Sequence, residues 1–239
     1  MAIQTLESTG STNSYMAAHA DDFAHGDIVM AVEQTAGRGQ RGNSWEADPG
    51  KNLTLSMMLR PKGIEAARQF DISRAVALGT AMMIQEIVKQ EVLIKWPNDI
   101  YVGDRKIAGI LIENTLTGRF IDRSIAGIGV NINQEEFRSD APNPVSVIQL
   151  TGRRTPLLPL AETLGEYILE MLAKPVEELR QAYDCRLWRR EGFHPYYDNI
   201  EDTAITASIT SIGPMGHLTL TTPEGTSHTY AFKEVSAVI

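Results

Sequence analysis

The chain has 239 residues, of which 43% are hydrophobic and 22% charged, a balance typical of a globular protein with one sizeable core and room for a small second domain. The formal net charge of −8 disfavours wholesale nucleic-acid binding, which needs a basic face, but permits a small anion held by a few arginines. The single cysteine, Cys185, excludes an intrachain disulfide and a cysteine-based metal cluster.

The amino terminus has neither the basic region nor the apolar run of a signal peptide. No apolar stretch approaches the roughly 20 residues that a membrane-spanning helix requires. The histidines have no metal-ligand spacing. We therefore expect a cytoplasmic protein with no membrane partner and no resident metal.

The first part of the chain predicts a sheet interrupted by one long helix. Apolar or alternating runs predict strands at residues 27–32, 52–60, 92–96, 100–102, 105–114 and 120–133. The helix is predicted at residues 71–90, where apolar residues recur at helical spacing. Asp71 or Ser73 is expected to cap its start.

The pattern changes after residue 137. Residues 138–160 are rich in proline and predict a long excursion without regular structure. Helices are predicted at 160–172 and 176–190. From about residue 196, short alternating segments separated by turns predict a small all-β module.

The segment GRGQRG, residues 37–42, is the first candidate site. It lacks the Gly-Lys-Ser/Thr ending of a phosphate-binding Walker loop, and no helix pattern opens directly after it, as a dinucleotide fingerprint would need. Backbone N–H groups of such a loop can approach a phosphate, and Arg38 and Arg41 supply charge. A surface loop with incidental arginines explains the hexapeptide alone equally well.

Two lysines in the stretch IKWPNDIYVGDRKIAGIL, residues 94–111, are the second candidate. Strand alternation places Lys106 on the apolar face of Ala108 and Ile110, where a lysine either snorkels to water or is held in a site. Lys95 follows an apolar run and raises the same alternatives. Asn98 and Asp99 are also ordinary turn formers.

Glycines and an early polar triplet complete the candidates. Gly127 and Gly129 fall on one face of a predicted strand, which leaves room either for a ligand or for close backbone packing. The triplet Ser11-Thr12-Asn13 by itself predicts a helix cap.

Taken together, STN, EQTAGRGQRGNSW, KWPNDIYV, GDRKIAGIL and GIGVNIN stand in the order and approximate spacing found in biotin–protein ligases. The chain resembles this family over roughly residues 5–135. The resemblance implies an α+β fold: a mixed-sheet catalytic domain related to class II aminoacyl-tRNA synthetases, at residues 1–190, and a small SH3-like β-barrel at 191–239. Some family members carry an amino-terminal DNA-binding domain, which we expect this chain to lack, so no DNA partner is expected.

The resemblance also implies a reaction in two steps. Biotin and ATP form biotinyl-5′-AMP and pyrophosphate, with Mg²⁺ as the metal that accompanies ATP. The biotinyl group then passes to one lysine of a biotin carboxyl carrier protein. The oligomeric state, monomer or homodimer, stays open.

Residue roles follow from the resemblance alone. Lys106 and Arg38 are expected to bind the biotin carboxylate and the α-phosphate, with Lys95 and Asp99 as helpers and Asp99 assisting Mg²⁺. The expected biotin contacts are Ser11, Thr12, Asn13, Gln34, Gly37, Arg38, Gly39, Gln40, Lys106, Gly109, Gly127 and Gly129. The expected nucleotide contacts are Arg38, Arg41, Trp45, Lys106, Asn131 and Lys233, and Trp45 is expected to pack over the adenylate.

One position departs from the family pattern. The commonest loop has arginine where this chain has Gln40, so one loop charge is missing.

A lipoate–protein ligase, which uses a related fold and the same adenylation, is the rival enzyme. A non-catalytic regulator that binds biotinyl-AMP or RNA is the rival from another class.

Overall fold

A computed structural model of the chain describes residues 1–40, 43–138 and 143–238. The larger of its two sheets has the strand order β1-β2-β3-β7-β6-β5-β4. The strands are β1 Ile3–Thr9, β2 Ile28–Gln34, β3 Leu53–Leu59, β4 Leu93–Lys95, β5 Asp99–Val102, β6 Arg105–Thr117 and β7 Phe120–Val130. Strands β1 and β2 run parallel, and the other neighbours are antiparallel. The predicted mixed sheet is therefore confirmed, with β1 as an addition at its edge.

Within the described residues, five α-helices accompany this sheet: α1 Thr12–Ala18, α2 Phe70–Val88, α3 Val147–Thr151, α4 Leu157–Ala173 and α5 Val176–Cys185. Helices α2 and α4 pack against each other and each contacts the sheet, and α2 is buried along most of its length. A Cβ at Gly79 of α2 would lie 2.8 Å from the backbone nitrogen of Ile168 in α4. Glycine at this position therefore allows the two helices to approach closely.

The predicted cap of α2 is wrong. The helix begins at Phe70, and Gln69 precedes it without a side-chain capping bond. The carboxylate of Asp71 is instead buried and pairs with three arginines: Arg74 at 2.7 Å, Arg68 at 3.1 Å and Arg180 at 3.2 Å. Three guanidinium groups satisfy a buried carboxylate better than the helix terminus alone can, because each brings a full opposite charge.

The proline-rich excursion contains regular structure that the sequence pattern did not predict. Ser146 and Gln149 form a reciprocal capping box that starts α3 inside it. Helix α4 begins at Leu157, directly after Pro156, rather than at residue 160. Prolines near the helix start are tolerated because the first-turn N–H groups have no intrahelical acceptor.

The second sheet has the order β11-β10-β9-β8-β12 and is antiparallel throughout. Its strands are β8 His194–Asp198, β9 Thr203–Ile212, β10 Leu218–Thr221, β11 Ser227–Tyr230 and β12 Val235–Ala237. They surround a small core that includes Tyr196, Leu218, Leu220 and Tyr230. The predicted all-β module is confirmed as an antiparallel sheet.

Hydrogen bonds fasten the small sheet to Trp96, which follows β4, and to helix α2. The Trp96 indole N–H donates to the Gly216 carbonyl at 2.8 Å, and the buried Arg74 donates to the Ile212 carbonyl at 2.7 Å. The Phe232 ring packs against Trp96. Lys233, the residue after Phe232, thereby lies at the rim of the cleft described below. None of the helices in the described ranges has the length and apolar content to cross a bilayer.

Candidate active site

A cleft of about 590 Å³ opens on one face of the large sheet, beside the small sheet. Most of the residues expected to bind ligands line it, although they come from distant parts of the chain: Ser11, Thr12, Asn13, Gln34, Arg38, Gly39, Gln40, Trp45, Asp99, Lys106, Gly109, Gly127, Gly129 and Lys233. Sheet order explains the convergence, because β2, β3, β7, β6 and β5 are consecutive neighbours.

One end of the cleft is a buried network of neutral hydrogen bonds. The Gln34 side-chain oxygen accepts from the Thr12 backbone N–H at 2.8 Å and from its hydroxyl at 3.1 Å. The Ser56 hydroxyl lies 2.8 Å from the Thr12 hydroxyl and 2.5 Å from the Asn13 side-chain oxygen. Ser11 precedes α1 without a side-chain capping bond, so capping is not its role. We name these five residues, Ser11, Thr12, Asn13, Gln34 and Ser56, the polar end.

Three glycines form the floor of the cleft. Gly109 of β6 lies opposite Gly129 of β7, and Gly127 lies two residues further along the same face. A Cβ at Gly127 would lie 2.3 Å from the Asn13 side-chain oxygen, and a Cβ at Gly129 would lie 2.2 Å from the Trp45 indole. The glycines therefore create the space that these two side chains use.

Trp45 lies in the cleft itself, over Gly109 and Gly129. Its indole N–H is buried and has no hydrogen-bond partner among the described residues. A ligand can lie against Gly129 only after the indole moves, and a polar ligand atom could then satisfy the N–H.

Residues 37–39 pair antiparallel with residues 43–45, and we name these two short segments the hairpin. Arg38 and Ser44 form an isolated antiparallel bridge, and the Trp45 N–H donates to the Gly37 carbonyl at 3.0 Å. A Cβ at Gly37 would lie 2.5 Å from the Trp45 carbonyl oxygen, so this glycine permits close backbone contact. Gly37 does not line the cleft. Arg41 lies outside the described residues.

Charged pairs occupy the rest of the cleft, and one of them begins directly beside the polar end, because Glu113 also accepts from Asn13 at 2.8 Å. The Lys106 ammonium lies 2.7 Å from the Asp99 carboxylate, and the Arg38 guanidinium lies 2.6 Å from the Glu113 carboxylate. Lys233 lines this part of the cleft as well. We name Arg38, Asp99, Lys106, Glu113 and Lys233 the charged end.

The strand-parity argument for Lys106 is wrong, although the residue does line the cleft. Ile100 pairs with Ala108 and Tyr101 pairs with Lys106, so Ile107 is an extra residue in β6. This bulge turns Lys106 away from the apolar face of Ala108 and onto the glycine face. The Lys106 ammonium accordingly lies 3.5 Å from where a Cβ of Gly109 would be.

Lys95 lines a neighbouring pocket of about 180 Å³, which shares Gln40, Asp99 and Lys233 with the main cleft. Its ammonium lies 5.3 Å from the Tyr101 ring centroid. Burial lowers the pKa of Lys95, and the attraction of Asp99 opposes this effect.

Asn131 lies apart from the cleft lining. It is buried, and its amide donates to the Val145 carbonyl at 3.2 Å.

The described residues contain no group of three or more His, Cys, Asp or Glu side chains that could hold a metal ion. Asp99 alone fits Mg²⁺ as one ligand of an ion that keeps its other ligands from phosphates and water.

Two residues that hydrogen-bond to the cleft lining, without lining the cleft themselves, were not predicted from the sequence. Ser56 is a polar residue within an apolar strand, and it shares a face with Thr54. Glu113 continues the face of Gly109 along β6. Polar residues at period two in otherwise apolar strands were the signal that could have identified both.

Residues 5–131 match the model of the biotin/lipoate A/B protein ligase family. The chain belongs to this family. The resemblance inferred from the motifs is thus confirmed, and the matched segment contains every cleft residue except Lys233.

Two relatives are bifunctional ligase/repressor BirA proteins. That of Salmonella typhimurium is 34% identical over 197 residues, which are 81% of this chain and 57% of that protein. That of Escherichia coli is 32% identical over 203 residues, which are 84% of this chain and 58% of that protein. The chain therefore spans less than two thirds of the length of either relative.

The fold is shared with solved structures of biotin protein ligases. The ligase of Aquifex aeolicus, in complex with biotin and ATP, aligns with a TM-score of 0.77 at 23% identity over 98% of this chain and 97% of that one. The ligase of Leishmania major, in complex with biotinyl-5-AMP, aligns with a TM-score of 0.67 at 23% identity over 96% and 98%.

Proposed function

We propose that the chain is an ATP-dependent biotin–protein ligase, which forms biotinyl-5′-AMP and transfers the biotinyl group to a lysine of a biotin carboxyl carrier protein. The observation that carries the proposal is the division of one cleft into a neutral polar end and a charged end, joined by a floor of glycines. A biotin molecule has the same division, since a neutral ureido ring stands at one end and a carboxylate at the other.

The polar end suits the ureido group. A ureido ring needs both donors and acceptors, and hydroxyl and amide side chains supply both. Ser11, Thr12 and Asn13 are each no more than 5% exposed, so a ring bound beside them would be shielded from water. We assign Gln34 to this recognition as well, because its oxygen already orients Thr12.

The charged end suits the adenylation step. A carboxylate oxygen of biotin attacks the α-phosphorus of ATP, which forms the acyl–phosphate bond and releases pyrophosphate. Two anions must approach each other, so the demand on the protein is for positioning and positive charge. We assign the bridging role to Lys106 and phosphate contacts to Arg38, with Lys95 and Lys233 placed for the outgoing phosphates.

In the second step, the acceptor amine attacks the activated carbonyl and AMP leaves. No covalent enzyme intermediate is needed, so the cleft requires no nucleophilic side chain of its own. Asp99 serves as the partner of Lys106 in our proposal and as a candidate ligand of the Mg²⁺ that accompanies ATP.

We further propose that the chain divides near residue 190 into a catalytic domain and an SH3-like barrel. Five short antiparallel strands around a separate small core support the second assignment. The same proposal includes a cytoplasmic location, a monomeric or dimeric state and the absence of a DNA partner.

Isotope exchange between ATP and pyrophosphate tests the function. Biotin should stimulate the exchange, and lipoate at the same concentration should neither stimulate it nor compete. Addition of an isolated biotin carboxyl carrier domain should then yield a biotinylated lysine, detectable by mass spectrometry. Exchange stimulated by lipoate instead of biotin would identify a lipoate ligase, and absence of any exchange would remove the enzymatic proposal.

A further inference from the structure

Glu113 connects the two ends of the cleft through one carboxylate oxygen. That oxygen accepts a hydrogen bond from the Asn13 side-chain amide at 2.8 Å and from the Arg38 guanidinium at 2.6 Å. Asn13 belongs to the polar end, and Arg38 belongs to the hairpin at the charged end. A carboxylate oxygen has two lone-pair sites, so it can serve both donors at once.

The bond to Glu113 determines how the Asn13 amide is oriented. A carboxylate accepts and never donates when ionised, so the nitrogen of the Asn13 amide must face it. The amide oxygen then faces the Ser56 hydroxyl, which lies 2.5 Å away. Loss of Glu113 would leave only the Ser56 contact and a long 3.4 Å bond to the Leu111 carbonyl to hold the amide.

The same carboxylate forms an ion pair with the Arg38 guanidinium. The two side chains are 43% and 41% exposed, and ion pairs with this exposure are weak. A phosphate carries more negative charge and can form a bidentate contact with the guanidinium. It can therefore replace Glu113 as the partner of Arg38.

We propose that Glu113 is a positioning residue with two opposite effects on the reaction: it orients Asn13 for biotin and competes with the nucleotide phosphate for Arg38. This inference rests on the proposed function. Glu113 holds Arg38 at the cleft while no nucleotide is bound and releases it to the phosphate on binding. It thus strengthens biotin binding and weakens nucleotide binding.

Two substitutions separate these effects. Glu113→Gln retains an oxygen that can accept from Asn13 but removes the charge that holds Arg38. Glu113→Ala removes both contacts. Glu162→Gln, on the exposed face of α4, is the matched control for loss of one carboxylate. Calorimetry measures the Kd for biotin, and biotin-dependent ATP–pyrophosphate exchange measures KM for ATP and kcat.

In Glu113→Gln, we expect the Kd for biotin to stay within about twofold of the wild type and KM for ATP to fall about threefold or more. In Glu113→Ala, we expect the same fall in KM together with a Kd for biotin raised roughly tenfold, which corresponds to 1.4 kcal/mol. Glu162→Gln should match the wild type in both quantities.

A KM for ATP that is unchanged or raised in Glu113→Gln would overturn the competition, and a joint loss of kcat and both affinities would indicate a merely structural role. If Glu113→Ala does not fold, Glu113→Gln decides the competition for Arg38, and Glu113→Asp, whose shorter side chain draws the carboxylate back from Asn13, takes its place in the measurement of biotin affinity. A wild-type chain with no biotin-dependent exchange would instead overturn the proposed function, and with it this inference, so the two failures are distinguishable.

Discussion

The polar end and the charged end of the cleft differ in solvent exposure and in the interactions that hold their side chains. Thr12 and Asn13 at the polar end are each 3% exposed, and both are held by hydrogen bonds to neutral side chains of neighbouring strands, with one further bond from Asn13 to Glu113. The side chains of Lys106 and Arg38 at the charged end are 24% and 43% exposed, and each is paired with a carboxylate. In our proposal, the polar end keeps its hydrogen bonds when ligands bind, whereas the cations of the charged end exchange their carboxylate partners for the bound anions.

This difference follows from the cost of an unsatisfied polar group. A buried neutral group needs its hydrogen-bond partners from the protein, because water cannot reach it. A half-exposed cation keeps part of its hydration, and a carboxylate partner held at the surface can be displaced at little cost. We therefore expect substitutions at the polar end to change biotin affinity and substitutions at the charged end to change the rate and the nucleotide affinity.

The largest effect should come from Lys106→Ala. Loss of the bridging ammonium should cost roughly 3 kcal/mol of transition-state stabilisation, which is about a hundredfold in rate, as for a single oxyanion donor. Biotin-dependent ATP–pyrophosphate exchange measures it, and Lys62→Ala, an exposed lysine outside the cleft lining, is the control. Exchange at a near-normal rate in a folded Lys106→Ala protein would remove Lys106 from the mechanism.

Gly127→Ala should break the polar end without unfolding the sheet. Its new Cβ would meet the Asn13 side-chain oxygen at 2.3 Å, so Asn13 would move and lose its bonds to Ser56 and Glu113. Two lost hydrogen bonds at about 1 kcal/mol each predict a roughly thirtyfold weaker Kd for biotin.

Calorimetry of Gly127→Ala checks this value, with Gly213→Ala as the control, because a Cβ at Gly213 meets nothing closer than 3.8 Å. The nucleotide KM should change little. Unaltered biotin affinity in Gly127→Ala would mean that Asn13 takes no part in recognition.

Ser56→Ala should have a smaller effect of the same kind. It removes the hydroxyl that contacts Thr12 and Asn13 while adding no bulk. We expect about a two- to tenfold rise in the Kd for biotin, the range of one net hydrogen bond. Ser124→Ala is the matched control, since Ser124 is also fully buried but bonds to Asn114 at 2.6 Å, away from the cleft lining. Equal affinities in the two variants would argue against a positioning role for Ser56.

The smallest effect concerns pH and Lys95, in the pocket beside the charged end. Because burial lowers the pKa of Lys95, its ammonium charge is lost at a lower pH than that of an exposed lysine. Raising the pH from about 7 towards 10 should therefore raise KM for ATP by about two- to fivefold, the range of a partly exposed ion contact. Lys95→Arg keeps its charge over this range and should flatten the profile. Parallel profiles would indicate that Lys95 does not contact the phosphates.

Much of the fold could be predicted because its strongest patterns are local. Helix α2 spans Phe70–Val88 where the apolar periodicity predicted residues 71–90. Strand β1, Ile3–Thr9, was missed because it lies at the sheet edge with most of its side chains exposed, so it lacks an apolar pattern. Helix α3 was missed for a different reason: five residues are too few for a periodicity to appear.

The amino-acid sequence by itself determined the family and most of the cleft residues, because glycine-rich and charged motifs keep their order along the chain whatever their surroundings. Only the tertiary structure decided how those residues work together. The bulge at Ile107 decided which face Lys106 occupies, and the pairing of β3 with β7 brought Ser56 beside Asn13. The packing of β6 near the hairpin brought Glu113 to Arg38, 75 residues away. Such contacts depend on strand register and on long-range strand pairing, and the spacing of a motif predicts neither of these.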